Sequence, residues 1–200
     1  MEIYLIRHTA VDIAKGICYG QADIGVAETF LAEAAIIQNH LPQNITAVYS
    51  SPLKRCKKLA EYLCAAYPIE FHDELKEINC GNWEMQAWDN IPRAEIDAWM
   101  QNHTTVRIPA GESYEDVYER VKSIFSTLNQ LKGTKVIFTH GGVIRSILAY
   151  LTNIPLKDSF NAFSLSYGCV IKITASANGF THEVLSNIKQ EKETHKPSYL

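Results

Sequence analysis

Three short apolar runs, each followed at once by polar residues and then by a helical pattern, constrain this chain more than any other feature. They are Ile3–Ile6, Ile45–Tyr49 and Lys135–Thr139. Apolar runs of this length are typical of strands that are buried on both faces of a sheet. Because strands that alternate with helices pack in layers, the pattern predicts an α/β fold, a three-layer α/β/α sandwich with a mainly parallel central sheet.

Amphipathic helical patterns fill the intervals between these runs. Ser113–Asp116 has the sequence of a capping box at the start of one predicted helix. Two later stretches, Cys169–Thr174 and Phe180–Leu185, are rich in residues that favour strands, and a turn at Asn178–Gly179 would pair them as a hairpin. The predicted helices lie within Phe30–Leu41, Leu53–Tyr67, Tyr114–Leu131 and Gly141–Leu151.

The chain has 200 residues, enough for one domain with a sizeable core. We predict a single domain over residues 1–188, with an irregular insertion over about 73–111. All three tryptophans, Trp83, Trp88 and Trp99, lie in this insertion, and such insertions on parallel sheets often form a lid or a substrate wall. Residues 189–200 are mostly charged or polar, and we expect them to be a flexible tail.

Composition excludes several classes of protein. Hydrophobic residues make up 46% of the chain and charged residues 20%, which excludes intrinsic disorder. The net charge of −3 argues against an extended nucleic-acid surface. No apolar stretch approaches the roughly 20 residues that span a bilayer, and the N-terminus lacks the basic start of a signal peptide. We therefore expect a cytoplasmic protein without a membrane partner, whose five dispersed cysteines are buried and reduced.

Arginine and histidine side chains follow the ends of the three predicted strands. Arg7 and His8 follow the first strand, Arg55 lies in the first turn of the helix after the second, and His140 follows the third. Because ligands bind at the carboxyl ends of parallel strands, we expect these side chains to converge. Together with helix N-termini, including the backbone N–H of Gly141, they would form a pocket for a doubly charged anion such as phosphate.

The rest of the sequence limits what such a pocket can do. It contains no nucleotide-binding glycine loop and no metal-ligand motif, so neither a cofactor nor a metal ion is expected. A neutral histidine can attack phosphorus itself, and a carboxylic acid can then protonate the departing alcohol. Each residue also has a structural alternative: Arg7 and His8 as a surface pair, His140 as part of a tight turn, and Arg55 as a solvated member of a basic helix face.

Four ordered motifs occupy these positions. Leu5–Thr9 carries Arg-His at a strand end, and Ser51–Leu59 carries Ser-x-x-x-Arg but has leucine at its last position. Leu75–Glu84 reads Leu-x-Glu-x-x-x-Gly-x-Trp-Glu, and Thr139–Gly142 reads Thr-His-Gly-Gly. The sequence therefore resembles the histidine phosphatase superfamily, also called phosphoglycerate-mutase-like, from the first strand to at least Leu151. It departs from the usual pattern at Thr9, where the family has glycine, and at Leu59, where it has threonine.

The resemblance implies a role for each motif residue. His8 would be the nucleophile that becomes phosphorylated, and Arg7, Arg55 and His140 would hold the phosphoryl oxygens. Glu77 would be the proton donor. Glu74 and Glu84 are equally acidic and close in sequence, so only the motif spacing selects Glu77.

Three further segments, Cys18–Gln21, Gly81–Met85 and Pro109–Ser113, are similar to the α-ribazole phosphatases, a branch of that superfamily. The resemblance implies a phosphomonoesterase acting on α-ribazole 5′-phosphate in cobalamin nucleotide-loop assembly. Thr9–Ala10 stands where the mutases carry Gly-Glu, which argues against mutase activity. The alternatives are a broad-specificity phosphatase of small metabolites, a mutase-like enzyme, and a phosphate-binding module without turnover.

A substrate with a flat aromatic base needs a wall beside the phosphate pocket. Tyr19 and Gln21 follow the nucleophile closely, and Trp83 follows the acid, so these three residues are the candidates. Stacking on a base is one role for Tyr19 and Trp83, and filling a small core under the insertion is the other. For Trp99 we expect the core position.

Overall fold

The structure, a computed structural model, describes residues 1–130, 132–177, 179–188 and 197–198. Within these residues, six strands form one mixed sheet in the order β3-β2-β4-β1-β5-β6. Neighbouring strands from β3 to β1 pair in parallel, and β5 and β6 extend the sheet with antiparallel pairs. The strands are β1 (Glu2–Arg7), β2 (Ala47–Ser50), β3 (Ile69–Phe71), β4 (Thr134–Thr139), β5 (Val170–Ser176) and β6 (Gly179–Ser186).

Among the described residues, the four predicted helices are present together with two further α-helices that the sequence pattern does not predict. Helix α3 lies inside the insertion and buries only Ile96, so it has no apolar stripe to reveal it. Helix α6 is only four residues long. The helices are α1 (Phe30–Gln38), α2 (Lys54–Leu63), α3 (Arg93–Gln101), α4 (Tyr114–Gln130), α5 (Gly141–Thr152) and α6 (Ser159–Ala162).

Alternation along the central strands builds a core on each face of the sheet. Ile3 and Leu5 pack with α4 and α5, whereas Tyr4 and Ile6 point to the other face and pack with α1 and α2. Because the central strands are covered on both sides, they are almost continuously buried. The predicted three-layer α/β/α sandwich is therefore confirmed.

The insertion has a small core of its own. Trp83 and Trp88 meet edge to face with ring centroids 6.2 Å apart, and Trp83 meets Trp99 in the same way at 5.8 Å. The indole N–H of Trp83 donates to Glu95 Oε2 at 2.8 Å. Aromatic packing of this kind makes the insertion a defined substructure above the sheet, although its sequence has no strong periodicity.

Several smaller predictions have clear outcomes. The capping box is confirmed, because Ser113 Oγ accepts from the Asp116 N–H at 3.2 Å and the Asp116 carboxylate accepts from the Ser113 N–H at 2.7 Å. All five cysteines are buried and free, as expected. Across the described residues, no helix has the length and apolar character needed to cross a membrane.

Other predictions fall on residues outside the described part of the chain. Leu131, at the end of one predicted helical stripe, and Asn178, in the predicted hairpin turn, are outside it. So is most of the predicted flexible tail over 189–200, which stays a prediction. Of that segment the structure describes Pro197, which is buried, and Ser198, whose backbone N–H donates to Asp89 Oδ1 at 2.7 Å.

Candidate active site

The candidate site lies at the carboxyl ends of three adjacent parallel strands. Arg7 ends β1 and His8 follows it, Arg55 is in the first turn of α2 after β2, and His140 connects β4 to α5. Strand β4 pairs with both β1 and β2, so these three strand ends are neighbours. A cavity of about 680 Å³ opens above them, and Arg7, His8 and Arg55 are among its lining residues. The predicted convergence of these side chains is confirmed.

His8 is held with one ring nitrogen facing the backbone. Its Nδ1 lies 2.8 Å from the carbonyl oxygen of Thr9, and because a carbonyl only accepts, Nδ1 must carry the proton. The lone pair of the neutral ring is therefore on Nε2. Burial lowers the pKa of His8 well below its usual 6.5, and the positive charges of Arg55 and Arg7 lower it further. His8 is thus a neutral imidazole at pH 7, which is the form that can act as a nucleophile.

Arg55 is fully buried and is fixed by three acceptors. Its Nη1 donates to the carbonyl oxygen of Ala22 at 2.9 Å, its Nη2 donates to that of Gly20, and its Nε donates to His140 Nδ1 at 3.3 Å. A guanidinium has five N–H groups, so each terminal nitrogen keeps one N–H beyond these bonds. Arg55 is therefore a preorganised cation that keeps two N–H donors, which suits the oxygens of a phosphoryl group.

Arg7 is anchored on the other side of His8. Its Nη1 donates to the carbonyl oxygen of Leu165, and its guanidinium carbon lies 4.2 Å from the centre of the Tyr167 ring. Gly141, at the start of α5, packs so close that a Cβ there would lie 3.4 Å from Arg7 Nε. The anchored guanidinium groups of Arg7 and Arg55 therefore both lie close to His8, whose predicted role as nucleophile stays a prediction.

His140 lies behind the pocket surface and is fully buried. Because the Arg55 Nε–H can only donate, His140 Nδ1 accepts and the proton sits on Nε2, which lies 2.8 Å from Ser51 Oγ. Burial, and then the positive charges of Arg55 and Arg7, lower the pKa of His140 well below 6.5. In this arrangement His140 orients Arg55. Its predicted direct contact with a phosphoryl oxygen stays a prediction.

Glu77 lines the cavity opposite these cations. Its Oε2 accepts from the backbone N–H of Gly142 at 3.1 Å, and its Oε1 accepts from its neighbour Ile78 at 3.0 Å. A Cβ at position 142 would lie 2.2 Å from Glu77 Oε1, so only glycine lets the carboxylate reach the start of α5. These contacts hold the Glu77 carboxylate at the start of α5, and its predicted role as proton donor stays a prediction.

The two competing carboxylates have other positions. Glu74 is exposed and does not line the cavity. Glu84 accepts four backbone N–H groups, from Gly20 at 3.0 Å, Gln21 at 2.7 Å, Ala22 at 3.1 Å and Cys80 at 3.0 Å. A carboxylate that is saturated in this way ties two loops together and cannot also protonate a leaving group.

Arg120 is a supporting residue that the sequence analysis does not anticipate. From α4 it donates to the carbonyl oxygens of Glu74, Lys76 and Glu77, and it pairs with the Glu112 carboxylate at 2.9 Å. Glu112 in turn accepts from the Asn79 N–H at 2.8 Å. These bonds clamp the segment that presents Glu77. No sequence signal distinguishes Arg120 from the other charged residues of its helix.

The outer wall of the cavity is largely aromatic and aliphatic, but its members differ from those predicted. Tyr19 does line the cavity. Trp83 is only 1% exposed and fills the core of the insertion, which is the second of the two roles left open for it, so it does not belong to the wall. Gln21 instead donates from Nε2 to the carbonyl oxygen of Glu77 at 3.0 Å and helps to hold the segment that carries Glu77. Trp88, Trp99, Ile108, Phe160 and Phe163 supply the apolar part of the wall.

Trp99 occupies both positions. It packs against Trp83 and Trp88 in the insertion core, as expected, and because it is only half-buried it also lines the cavity. Arg145 is a further cation in the wall, but its Nη1 donates to the carbonyl oxygens of Ser159 at 2.8 Å and Phe163 at 2.7 Å. These bonds hold Arg145 in place and leave its positive charge in the wall of the cavity.

Comparison with known proteins agrees with this geometry. The family model described as histidine phosphatase superfamily (branch 1) matches residues 3–188. This chain belongs to that superfamily. The match covers all four motifs and runs to the end of the predicted domain, so the family resemblance inferred from the sequence is confirmed.

Individual relatives of the chain act on different phosphate esters, as their names state. A metal-independent phosphoserine phosphatase from Arabidopsis thaliana is 31% identical over 163 residues, covering 76% of this chain and 68% of that protein. Human 6-phosphofructo-2-kinase/fructose-2,6-bisphosphatase 1 is 29% identical over 189 residues, covering 86% of this chain but 39% of that longer protein. The solved α-ribazole phosphatase from Shigella flexneri is 24% identical with a TM-score of 0.81, covering 96% of this chain and 100% of that one. This last likeness establishes the fold.

Proposed function

We propose that this protein is a metal-independent phosphomonoesterase that works through a phosphohistidine at His8. The observation that carries the proposal is the neutral His8 ring, whose Nδ1 proton is held by Thr9 so that the lone pair lies on Nε2, and which has the guanidinium charges of Arg55 and Arg7 close by. Binding of phosphate alone would need the cations but would need neither a nucleophile nor Glu77. The metal-independent phosphoserine phosphatase among its relatives supports the same reaction class.

The reaction takes two balanced steps. In the first step, His8 Nε2 attacks phosphorus, the bond between phosphorus and the ester oxygen breaks, and Glu77 gives its proton to that oxygen. Arg7 and Arg55 stabilise the charge that spreads over the three equatorial oxygens. In the second step, Glu77 takes a proton from water, the resulting oxygen attacks phosphorus, and the phosphorus–nitrogen bond breaks. Inorganic phosphate leaves and His8 is neutral again.

Within this reaction class, we propose α-ribazole 5′-phosphate as the substrate. Three sequence segments, Cys18–Gln21, Gly81–Met85 and Pro109–Ser113, support this assignment by their resemblance to α-ribazole phosphatases. The cavity wall supports it independently, because Trp88, Trp99 and Phe160 line it and give a flat base an aromatic environment.

Hydrolysis assays with excess chelator test both levels of the proposal. Release of nitrophenolate from p-nitrophenyl phosphate should continue with EDTA present, and the His8→Ala variant should be inactive. A panel of α-ribazole 5′-phosphate, phosphoserine, fructose 2,6-bisphosphate and simple sugar phosphates should then give the highest kcat/KM for the first. Equal kcat/KM values across the panel would reject the substrate assignment and favour a broad-specificity phosphatase. Loss of all activity in EDTA would reject the metal-independent mechanism.

A further inference from the structure

Two tyrosines from distant parts of the chain meet above the nucleophile. The hydroxyl oxygens of Tyr19 and Tyr167 are 2.5 Å apart, although the residues are separated by 148 positions in sequence. Tyr19 lies in the loop after β1, and Tyr167 lies in the segment between α6 and β5. Neither the motifs nor the apolar patterns of the sequence point to Tyr167.

Each ring of this pair faces one of the two phosphate-pocket arginines. The guanidinium carbon of Arg7 is 4.2 Å from the centre of the Tyr167 ring, and that of Arg55 is 5.6 Å from the centre of the Tyr19 ring. Both distances are within the range of about 6 Å for attraction between a cation and an aromatic face. The Tyr167 ring also packs 5.4 Å from the ring of His8.

The backbone around Tyr167 is bonded firmly to the end of β1. The N–H of Arg7 donates to the carbonyl oxygen of Cys169 at 3.1 Å, and the N–H of Gly168 donates to that of His8 at 3.0 Å. The Arg7 side chain itself reaches the carbonyl oxygen of Leu165. Hydrogen bonds to Arg7 and His8 therefore hold the segment that contains Tyr167. From this position the Tyr167 ring contacts the side chains of both residues and can fix their orientation.

We propose that Tyr19 and Tyr167 form a hydroxyl-linked pair that fixes the planes of both guanidinium groups around His8, which makes Tyr167 a positioning residue for phosphoryl binding. Guanidinium groups bind phosphate tightly when their N–H donors already point towards the phosphate site before binding, because reorienting them on binding would lower the affinity. The Tyr167 ring lies against Arg7, the Tyr19 ring adds a more distant contact to the hydrogen bonds that hold Arg55, and the contact between hydroxyls joins the two rings. The inference rests on the proposed phosphatase function, since it assigns the pair to the same phosphate pocket.

Removing the ring and removing the hydroxyl should have different effects. Tyr167→Leu deletes the face that holds Arg7, and loss of a cation–aromatic pair shielded from water corresponds to about 30-fold in an equilibrium constant. We expect kcat/KM for p-nitrophenyl phosphate, and the affinity for inorganic phosphate measured by calorimetry, to fall together by roughly this factor. Tyr167→Phe keeps the face and should lose only about threefold, partly rescuing both values.

A double-substitution cycle tests the link between the hydroxyls. Tyr19→Phe and Tyr167→Phe each remove the same contact, so the double variant should be no worse than either single variant. Tyr62→Leu, at an exposed position on α2, is the matched control and should leave phosphate affinity and kcat/KM unchanged. The thermal midpoint of each variant shows how much of any loss comes from unfolding.

The outcomes separate this inference from the proposed function. A Tyr167→Leu variant that binds phosphate as tightly as the wild type would overturn the positioning role. If Tyr167→Leu does not fold, additive losses in the Tyr19→Phe and Tyr167→Phe cycle would still overturn the link. Should the wild type neither bind inorganic phosphate nor hydrolyse p-nitrophenyl phosphate, the proposed function fails first and the positioning role fails with it.

Discussion

Replacing Glu77 by glutamine separates proton donation from every other role of this side chain. The change keeps the size of Glu77 but removes the proton that the leaving oxygen needs. In the structure, the carboxylate accepts one N–H on each oxygen, from Gly142 at 3.1 Å and from Ile78 at 3.0 Å. The glutamine carbonyl oxygen can accept one of these, whereas its amide nitrogen cannot accept the other.

The structural cost and the catalytic cost can be estimated separately. One lost hydrogen bond to a charged group costs about 1–3 kcal/mol, which for a chain of this length lowers the thermal midpoint by roughly 2–12 °C. Loss of general-acid catalysis costs about 10²–10⁴ in rate, and this cost falls on poor leaving groups. We therefore expect Glu77→Gln to hydrolyse glycerol phosphate about 10²–10⁴ times more slowly, and p-nitrophenyl phosphate within about tenfold of the wild type.

Steady-state kcat values on the two substrates, measured at a temperature where both proteins are folded, give the assay. Glu84→Gln is the matched control, because that carboxylate accepts four backbone N–H groups and does not line the cavity. It should lower the thermal midpoint more and slow both substrates equally. Equal loss on both substrates for Glu77→Gln, or a leaving-group effect in Glu84→Gln, would refute the assignment of the acid.

Three further predictions follow from the same contacts. Arg55→Lys keeps a charge but loses the bonds to Gly20, Ala22 and His140, so kcat/KM should fall about 10²–10³-fold. An unchanged kcat/KM would refute the argument that a rigidly held guanidinium group is needed to bind the phosphoryl oxygens. Trp99→Ala should lower kcat/KM for α-ribazole 5′-phosphate about 10–100-fold and leave kcat/KM for p-nitrophenyl phosphate nearly unchanged. Trp83→Ala should instead lower the free energy of unfolding by about 3–5 kcal/mol. Because its pKa is lowered, His8 should stay neutral as the pH falls from 7 to 6.5 in an NMR titration; protonation with a midpoint at or above 6.5 would contradict this.

The central strands and the phosphate pocket could be predicted because each buried strand ends abruptly in polar residues. Arg7–His8, Ser51 and His140 all follow apolar runs, and a parallel sheet brings such strand ends together. Strand β3 escaped prediction because it is three residues long and exposes Phe71 at the edge of the sheet. Too few residues of this strand are buried for the sequence to show an alternation of apolar and polar residues.

The direction of the aromatic side chains could not be predicted. Trp83 and Trp99 are both large apolar residues of one irregular segment, and only packing decides that the first is fully buried in the core while the second, at the edge of that core, also lines the cavity. Tyr167 and Arg120 were missed for a related reason, since each acts through contacts with residues more than 40 positions away. Glu77 was distinguished from Glu84 by family spacing alone, and the physical difference between them appears only in their hydrogen bonds.

The most direct test of the account is the identification of the phosphorylated atom. Wild-type protein mixed with labelled substrate and quenched in alkali, which preserves phosphohistidine, should carry the label on Nε2 of His8. The geometry predicts that nitrogen because Nδ1 is bonded to the Thr9 carbonyl oxygen. Label on Nδ1, on another residue, or retained in His8→Ala would contradict the account.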